Sequence, residues 1–254
     1  MTNPYLRKYE VNTEQHKLYS DMYKNQTISF VNSKKNEYKL LNKRKMSIKT
    51  AINLLDSFID PSDPDLDVPN SIHAYQTAER IRAKYPEDKE LQIIGLIHDL
   101  GKVLFNFGEP SWAVVGDTYV LGWKFPKSIV YYEDLNNSPD LTNTNLYNVG
   151  CGISNLCISF GHDEYLYLVL KGNTNHKISD KYLNVIRFHS FYPWHSKGEY
   201  QELMTKEDSE ILKDVKKFNE FDLYSKEDSK HISYDIKKYY DDLLDNFFDG
   251  DLNW

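Results

Sequence analysis

Histidine and aspartate side chains at widely separated positions of this chain have the chemistry to bind metal ions together. Of the eight histidines, four lie on the apolar sides or at the ends of separate predicted helices. Two aspartates join them, and the candidate ligands are His73, His98, Asp99, His162, His189 and Asp222. Imidazole and carboxylate ligands without thiolate suit iron, manganese or zinc better than a cysteine-rich structural zinc site. These residue types therefore indicate a catalytic metal centre.

The stretch Gly95-Leu96-Ile97-His98-Asp99-Leu100-Gly101-Lys102 sets an imidazole and a carboxylate side by side in an apolar helical run. Leu91, Ile94 and His98 recur at i, i+3 and i+7, which predicts that His98 faces the core. A carboxylate at Asp99 is costly to bury unless it is paired or bound to a cation. The pair alone leaves an alternative open, in which His98 bonds a backbone carbonyl and Asp99 lies at the surface.

Six candidate ligands are too many for a single catalytic ion, which must keep an open position. Two ions bridged by Asp99 fit better, as in centres whose metals lie about 3.5–4 Å apart. Sequence spacing is weak evidence here, because 25 residues separate His73 from His98 and the later intervals are longer. The alternative is that some of the six are ordinary core residues.

Two other motifs fail on their spacing. Gly95 and Gly101-Lys102 resemble a phosphate-binding loop, but five residues separate the glycines where four are needed. The aspartates of residues 60–67 resemble a calcium loop, but Val68 stands where the tight turn needs glycine. We expect a solvated, proline-rich loop in that place.

Length and composition favour one folded domain. A chain of 254 residues can bury a substantial core, and an aromatic content of 14% argues against disorder. The formal charge of −7 is spread along the chain, so no nucleic-acid partner is expected. Only Cys151 and Cys157 are present, which is typical of a reducing compartment. Without a secretory or membrane-spanning apolar segment, we expect a cytoplasmic monomer with no membrane partner.

Hydrophobic periodicity predicts an all-α helical bundle. Residues 1–45 are polar and weakly helical, so we expect an arm that packs on a single catalytic domain of residues 46–254. Residues 112–123 predict a small β-hairpin excursion. The predicted helices begin at Ser47, Asn70, Asp88, about Ser154 and Asp180, and a further helix carries Leu212, Val215, Phe218 and Asp222.

The remaining histidines are His16, His176, His195 and His231. Their polar or loop contexts predict that they are solvated. His195 follows Tyr192-Pro193-Trp194 and is the exception to consider. It could serve as an outer hydrogen-bond partner, because metal-bound groups usually need one.

The order of the ligands resembles that of the HD-domain superfamily of helical metalloproteins. Longer blocks resemble the myo-inositol oxygenase family more narrowly, from roughly Gln26 to Trp254. The blocks are SDPD at 62–65, PNSIHAYQTAE at 69–79, HDLGKV at 98–103, FGEP at 107–110, WAVVGDT at 112–118, GHDEY at 161–165, RFHSFYPWH at 187–195 and FDLY at 221–224. Phe160 stands where the family is expected to have tryptophan, which leaves the ligands intact.

The resemblance implies an HD-type helical domain that holds two iron ions in a mixed Fe(II)/Fe(III) state. By that similarity His73, His98 and Asp222 bind one iron, His162 and His189 bind the other, and Asp99 bridges them. The implied activity is that of an oxidoreductase of inositol catabolism. Its substrates would be myo-inositol and O2, and its product D-glucuronate.

The resemblance also implies a substrate pocket, in which Lys102 is the catalytic cation beside the reacting oxygen. The substrate-binding residues implied are Arg7, Asp60, Asp63, Lys102, Asp117, His189 and Ser190. Arg7 lies in the first 25 residues, where the match is poor. Taken without the resemblance, each carboxylate of this set and Lys102 would be expected at the solvated surface.

Two alternatives to the oxygenase stay open at this point. An HD-type phosphohydrolase would use the same order of metal ligands, but it needs basic groups to bind phosphate. The pocket blocks here are mostly acidic apart from Lys102. A binding protein without catalytic activity is the other alternative, and the intact set of six ligands argues against it.

Overall fold

The computed structural model describes residues 10–57, 60–62, 69–139, 145–222 and 231–254. Arg7 and Asp63, two of the expected substrate residues, lie outside these ranges. Within them the chain is mainly helical, which confirms the all-α class. The α-helices are α1 Glu14–Asn25, α2 Ile28–Tyr38, α3 Ile48–Leu54, α4 Asn70–Lys84, α5 Lys89–Ile97, α6 His162–Gly172, α7 Asp180–Phe188, α8 Tyr192–His195, α9 Asp208–Asp222 and α10 Tyr234–Phe247.

Short 3-10 helices and two-residue strands connect the α-helices. The strands are β1 Lys45–Met46, β2 Val120–Leu121, β3 Cys157–Ile158 and β4 Leu252–Asn253. They pair antiparallel, β1 with β4 and β2 with β3. β2 lies within the β excursion expected at residues 112–123, but it pairs with the distant β3 and does not form a hairpin inside that stretch.

Ser47 and Asn70 were expected as the N-caps of the first two helices, and the third helix was expected to begin at Asp88. The Ser47 hydroxyl accepts from the Thr50 N–H, and the Asp88 carboxylate accepts from the Leu91 N–H. Asn70 does not cap α4. It is the first residue of that helix after Pro69, and its buried side chain donates to the carbonyl of Leu55 instead.

The helix that was expected to carry His98 and Asp99 ends before them. α5 stops at Ile97, and a 3-10 helix follows over Leu100–Phe107. The Lys102 N–H donates to the Asp99 carbonyl, an i to i+3 bond that tightens the chain. His98 and Asp99 thus lie at the junction of two helical segments, where successive side chains need not follow a single helical rotation.

α6 also begins later than expected. It starts at His162 and not near Ser154, because Cys157–Ile158 is extended and pairs with β2. Gly161 is its N-cap residue and adopts an extended backbone. The late start places His162 at the first position of a helix.

α5 is the central helix of the fold. It packs against α4, α7, α9 and α10. Its side chains from Leu91 to Ile97 are buried on every side, as expected for a helix surrounded by others. The C-terminal end of this helix is where His98 and Asp99 lie.

The N-terminal helices contribute to the same core. α1 contacts the 3-10 helices Ser111–Ala113 and Tyr132–Asn137, and α2 contacts α6. Tyr19, Met22 and Tyr23 of α1 are each about 1% exposed. The division of the chain at residue 45 stays a prediction.

Candidate metal centre

Four imidazoles surround the carboxylate of Asp99, two on each oxygen. Oδ1 lies 3.2 Å from His162 Nε2 and 3.7 Å from His189 Nε2. Oδ2 lies 3.5 Å from His98 Nε2 and 4.0 Å from His73 Nε2. The donor atoms therefore form two groups of three that share Asp99.

Asp222 joins the first of these groups. Its Oδ1 lies 3.1 Å from His73 Nε2 and 3.2 Å from His98 Nε2. The Tyr192 hydroxyl lies 3.4 Å from the other oxygen, Oδ2. All six residues that the sequence indicated are buried and lie together, with Asp222 the most exposed of them at 9%.

Helix ends bring these side chains together. His73 lies in the first turn of α4, His162 is the first residue of α6, and Asp222 is the last described residue of α9. His98 and His189 are the C-cap residues of α5 and α7. Because the ends of α4, α5, α6 and α7 meet α9 at one point, residues far apart in sequence converge there.

Backbone carbonyls fix the orientation of three of the imidazoles. Nδ1 of His98 lies 2.9 Å from Gly95 O. Nδ1 of His162 lies 2.7 Å from Val114 O, and Nδ1 of His189 lies 2.7 Å from Ile186 O. A carbonyl can only accept, so each Nδ1 carries the proton and each Nε2 presents a lone pair.

These lone pairs face each other and the carboxylates in a buried space. His162 Nε2 and His189 Nε2 are 3.1 Å apart, and neither has a proton to share when the ring is neutral. His98 Nε2 likewise faces the Asp222 carboxylate. Converging lone pairs and anionic oxygens repel one another unless a cation lies among them. The donor set therefore fits metal ions.

The charges around Asp99 and Asp222 keep both carboxylates ionised. Burial alone would raise the pKa of Asp99, but the adjacent Lys102 ammonium and His98 hold it well below its usual range. The pKa of Asp222 is likewise held well below its usual range, because the imidazoles of His73 and His98 beside it outweigh the effect of burial. Both groups are in the anionic form that binds metals.

Lys102 joins the metal-ligand carboxylate to a second buried acid. Its Nζ lies 2.9 Å from Asp99 Oδ2 and 2.8 Å from Asp60 Oδ2. The N–H and hydroxyl of Ser62 both donate to Asp60 Oδ1, at 2.8 and 2.6 Å. Burial opposes the charge of Lys102, but the two carboxylates outweigh it and raise its pKa. Lys102 and Asp60 are thus placed beside the centre and not at the solvated surface.

Two further expected substrate residues lie on neighbouring loops. The Ser190 hydroxyl is 3.5 Å from His162 Nε2, and its carbonyl accepts from the Thr118 N–H. Asp117, next to Thr118, accepts from the Tyr19 hydroxyl at 3.1 Å and donates its N–H to the same oxygen. The sequence analysis did not identify Tyr19 as a site residue, because no motif marks it. The i, i+4 spacing of Tyr19 and Tyr23 could have indicated a buried helix face.

The structure agrees with the exception made for His195, which is 2% exposed and therefore not solvated. Its Nε2 lies 2.8 Å from the carbonyl of His189, and the Ser196 hydroxyl lies 2.9 Å from its Nδ1. Burial lowers the pKa of His195 to about 4, so the ring is neutral near pH 7. It is a hydrogen-bond partner of the backbone that carries His189.

His16 and His176 are also bonded, and neither is fully solvated. His16 Nε2 lies 2.8 Å from Asp134 Oδ2, and His176 Nε2 lies 2.7 Å from the carbonyl of Leu170. Their polar sequence contexts concealed these local partners. His231 is exposed, as expected.

Close backbone contact at Gly101 brings Asp99 and His162 together. A Cβ atom added at Gly101 would overlap the backbone carbonyl of His162. The first turn of α6 therefore rests directly on the 3-10 helix that follows Asp99. Only glycine allows this approach.

Gly101→Ala is expected to lower the free energy of unfolding, toward the upper end of the about 1–3 kcal/mol typical of overpacking. The clash is with backbone, which cannot rotate away. Gly172→Ala is the matched control, because its Cβ would meet only the end of the Leu41 side chain. Urea unfolding of both variants measures the difference, and equal stabilities would contradict the role given to Gly101.

The buried His and Asp groups at the meeting point of several helices define an all-helical metalloprotein. Among the described helices, none combines the length and the apolar character needed to cross a membrane. Residues 12–254 match the family model described as Myo-inositol oxygenase. The match begins earlier than Gln26, where the resemblance in sequence was expected to start, and so includes all of α1.

Relatives from animals and plants show the same similarity. Inositol oxygenase of Mus musculus is 42% identical over 243 residues, which cover 93% of this chain and 85% of the mouse protein. That of Danio rerio is 44% identical over 243 residues, covering 93% and 87%. Inositol oxygenase 1 of Arabidopsis thaliana is 42% identical over 261 residues, covering 98% and 84%. This chain belongs to the myo-inositol oxygenase family, which implies a metal cofactor.

Proposed function

We propose that this protein is a di-iron oxygenase that opens the ring of myo-inositol with O2 to form D-glucuronate. The observation that carries the proposal is the division of four imidazoles between the two oxygens of Asp99. A carboxylate with ligands on both oxygens is suited to bridge two ions. Membership of the family supports the choice of substrate, and the site would lie in an HD-type domain.

Each ion has its own ligands in this proposal. His73, His98 and Asp222 hold one, His162 and His189 hold the other, and Asp99 bridges them. When bound, the Fe(II)/Fe(III) pair would supply Lewis acidity toward a substrate hydroxyl and a reducing Fe(II) ion for O2, while the four electrons that reduce O2 come from inositol. The group of His162 and His189 has fewer protein ligands, so it has more room for substrate oxygens.

The residues beside the metal centre are suited to a neutral polyol. Lys102, Asp60 and Ser190 are buried next to the imidazoles, and Asp117 lies on the loop bonded to Ser190 through Thr118. A polyol needs several positioned donors and acceptors, which carboxylates and hydroxyls provide. The proposed substrate residues also include His189, as well as Arg7 and Asp63 outside the described ranges.

The overall reaction balances with one O2 for each ring. Inositol and O2 give glucuronic acid and water, with the cleaved ring carbons oxidised and oxygen reduced. In this chain Lys102 holds a positive charge beside the oxygen that loses its proton. The buried surroundings keep bulk water away from the reacting carbon.

Charge argues against the phosphohydrolase alternative, which the family assignment also disfavours. A phosphate monoester brings about two negative charges and needs cations to hold them. Lys102 supplies only one positive charge and already pairs with Asp60 and Asp99, so it cannot balance a dianionic phosphate by itself.

The test is an assay of iron-loaded protein for oxygen consumption and glucuronate formation, with phosphate esters screened in parallel. We expect myo-inositol to drive the uptake of one O2 for each glucuronate formed. Release of phosphate from esters, with no oxygen uptake on inositol, would overturn the oxygenase and favour the phosphohydrolase.

The cytoplasmic location and the monomeric state stay predictions. Cys151 and Cys157 are both free thiols, and the reducing compartment expected from their number also stays a prediction.

A further inference from the structure

A buried ion network joins the two helices that carry His162 and His189. Arg187 donates from Nε to Glu164 Oε2 at 2.7 Å and from Nη2 to Glu164 Oε1 at 3.4 Å. Lys35 of α2 approaches Glu164 Oε1 at 2.8 Å. The Glu164 and Arg187 side chains are 11% and 10% exposed. Burial would raise the pKa of Glu164, but Arg187 and Lys35 outweigh it and lower that pKa.

The network lies close to the ligands in sequence, but the ion pairs of Glu164 with Arg187 and Lys35 do not include a ligand side chain. Glu164 follows His162 by two residues, and Arg187 precedes His189 by two. Two residues along a helix differ by about 200°, so Glu164 points away from the direction of His162. Its influence on the centre therefore runs through the backbone of α6.

The pair connects complementary helix ends. Glu164 lies in the first turn of α6, where a negative charge is favourable, and Arg187 lies in the last turn of α7, where a positive charge is favourable. Arg187 also stacks against Tyr167, with its guanidinium 4.6 Å from the ring centre. Fork geometry and stacking limit the rotation of both side chains.

We propose that Glu164 and Arg187 are positioning residues for the second metal group, which set the separation of His162 and His189. The proposal rests on the assignment of two ions given above. The first group comes from α4, α5 and α9, none of which contributes to the ion network. Loss of the network should therefore weaken binding of the second ion selectively, by about tenfold, which is the lower end of the range for residues that hydrogen-bond to metal ligands directly.

Glu109→Gln provides a matched control for Glu164→Gln. Glu109 is 8% exposed, and it accepts from Lys34 of α2 at 2.6 Å and from the Tyr38 hydroxyl at 2.7 Å. It follows Gly108 at the end of the 3-10 helix that is remote from Asp99. Both variants remove one buried carboxylate that pairs with a lysine of α2, but only Glu164 joins α6 to α7.

The experiment is anaerobic equilibrium dialysis of the metal-stripped proteins against Fe(II), with metal counting at each concentration and thermal melting of the stripped forms. For wild type we expect two binding steps. For Glu164→Gln we expect the weaker step to move to about tenfold higher Fe(II), with the tighter step within about twofold of wild type. Glu109→Gln should lower the melting temperature to a similar extent and move neither step.

Arg187→Lys keeps the positive charge but loses the two-nitrogen contact of the guanidinium with Glu164. If Glu164→Gln fails to fold, Arg187→Lys should still move the weaker Fe(II)-binding step to higher Fe(II). Retention of both steps by Glu164→Gln and Arg187→Lys would overturn the positioning role, and so would an equal weakening of both steps. A single step of one iron per chain in wild type would instead overturn the two-ion assignment and, with it, this inference.

Discussion

Asp99→Ala is expected to abolish inositol-dependent oxygen uptake and the binding of both metal ions. Asp99 presents one oxygen to His162 and His189 and the other to His98 and His73. No other carboxylate among the described residues lies between the two groups in this way. Removing it leaves converging lone pairs with less negative charge to hold cations. Metal counting after iron loading, together with the oxygen assay, measures the loss.

Asp163→Ala is the control for this prediction. Asp163 is also a buried aspartate next to a candidate ligand, His162, but its carboxylate accepts from the Glu164 N–H and is absent from both groups of metal donors. We expect this variant to retain both ions with a smaller loss of activity. Equal effects of the two substitutions would show that Asp99 is not the bridge.

Lys102→Met is expected to keep both ions and to reduce kcat/KM for myo-inositol roughly thirtyfold to a thousandfold. This corresponds to a loss of about 2–4 kcal/mol of transition-state stabilisation. Negative charge develops on the substrate oxygen as its proton leaves, and the Lys102 ammonium stabilises that charge. Asp60 keeps its two hydrogen bonds from Ser62, so the loop retains an anchor. Methionine preserves most of the volume of the lysine stem.

Lys34→Met provides the comparison for Lys102→Met. Lys34 lies on α2, away from the imidazoles, and pairs with Glu109 and Glu37. It should leave kcat/KM within about twofold of wild type, as expected for a lysine without contact to substrate. If Lys102→Met retained full activity, or lost its iron, the role given to this ammonium would be wrong.

The sequence indicated the six ligands because each combines a metal-binding type with an apolar helical context. His98, for example, follows Leu91 and Ile94 at core spacing, and it does face the core. What the sequence could not show is that Asp99 divides its oxygens between two pairs of imidazoles. That division depends on how the ends of α5, α6 and α7 meet.

Helix boundaries were the weaker part of the prediction, for a physical reason. α6 begins at His162 because Cys157–Ile158 pairs with Val120–Leu121, and this pairing outweighs local helical preference. The ion pair of Glu164 and Arg187 spans 23 residues and carries no local signal. α10 was not predicted, although Tyr240, Leu243 and Leu244 had the spacing of a buried face.

Anaerobic iron loading followed by metal counting and EPR, with and without myo-inositol, tests the dinuclear centre most directly. We expect about two irons per chain, as for a bridged pair. An Fe(II)/Fe(III) pair has an odd number of d electrons, so we expect an EPR signal from the coupled pair that changes when inositol is added. One iron per chain with full activity, or a signal indifferent to inositol, would contradict a two-iron site that binds this substrate.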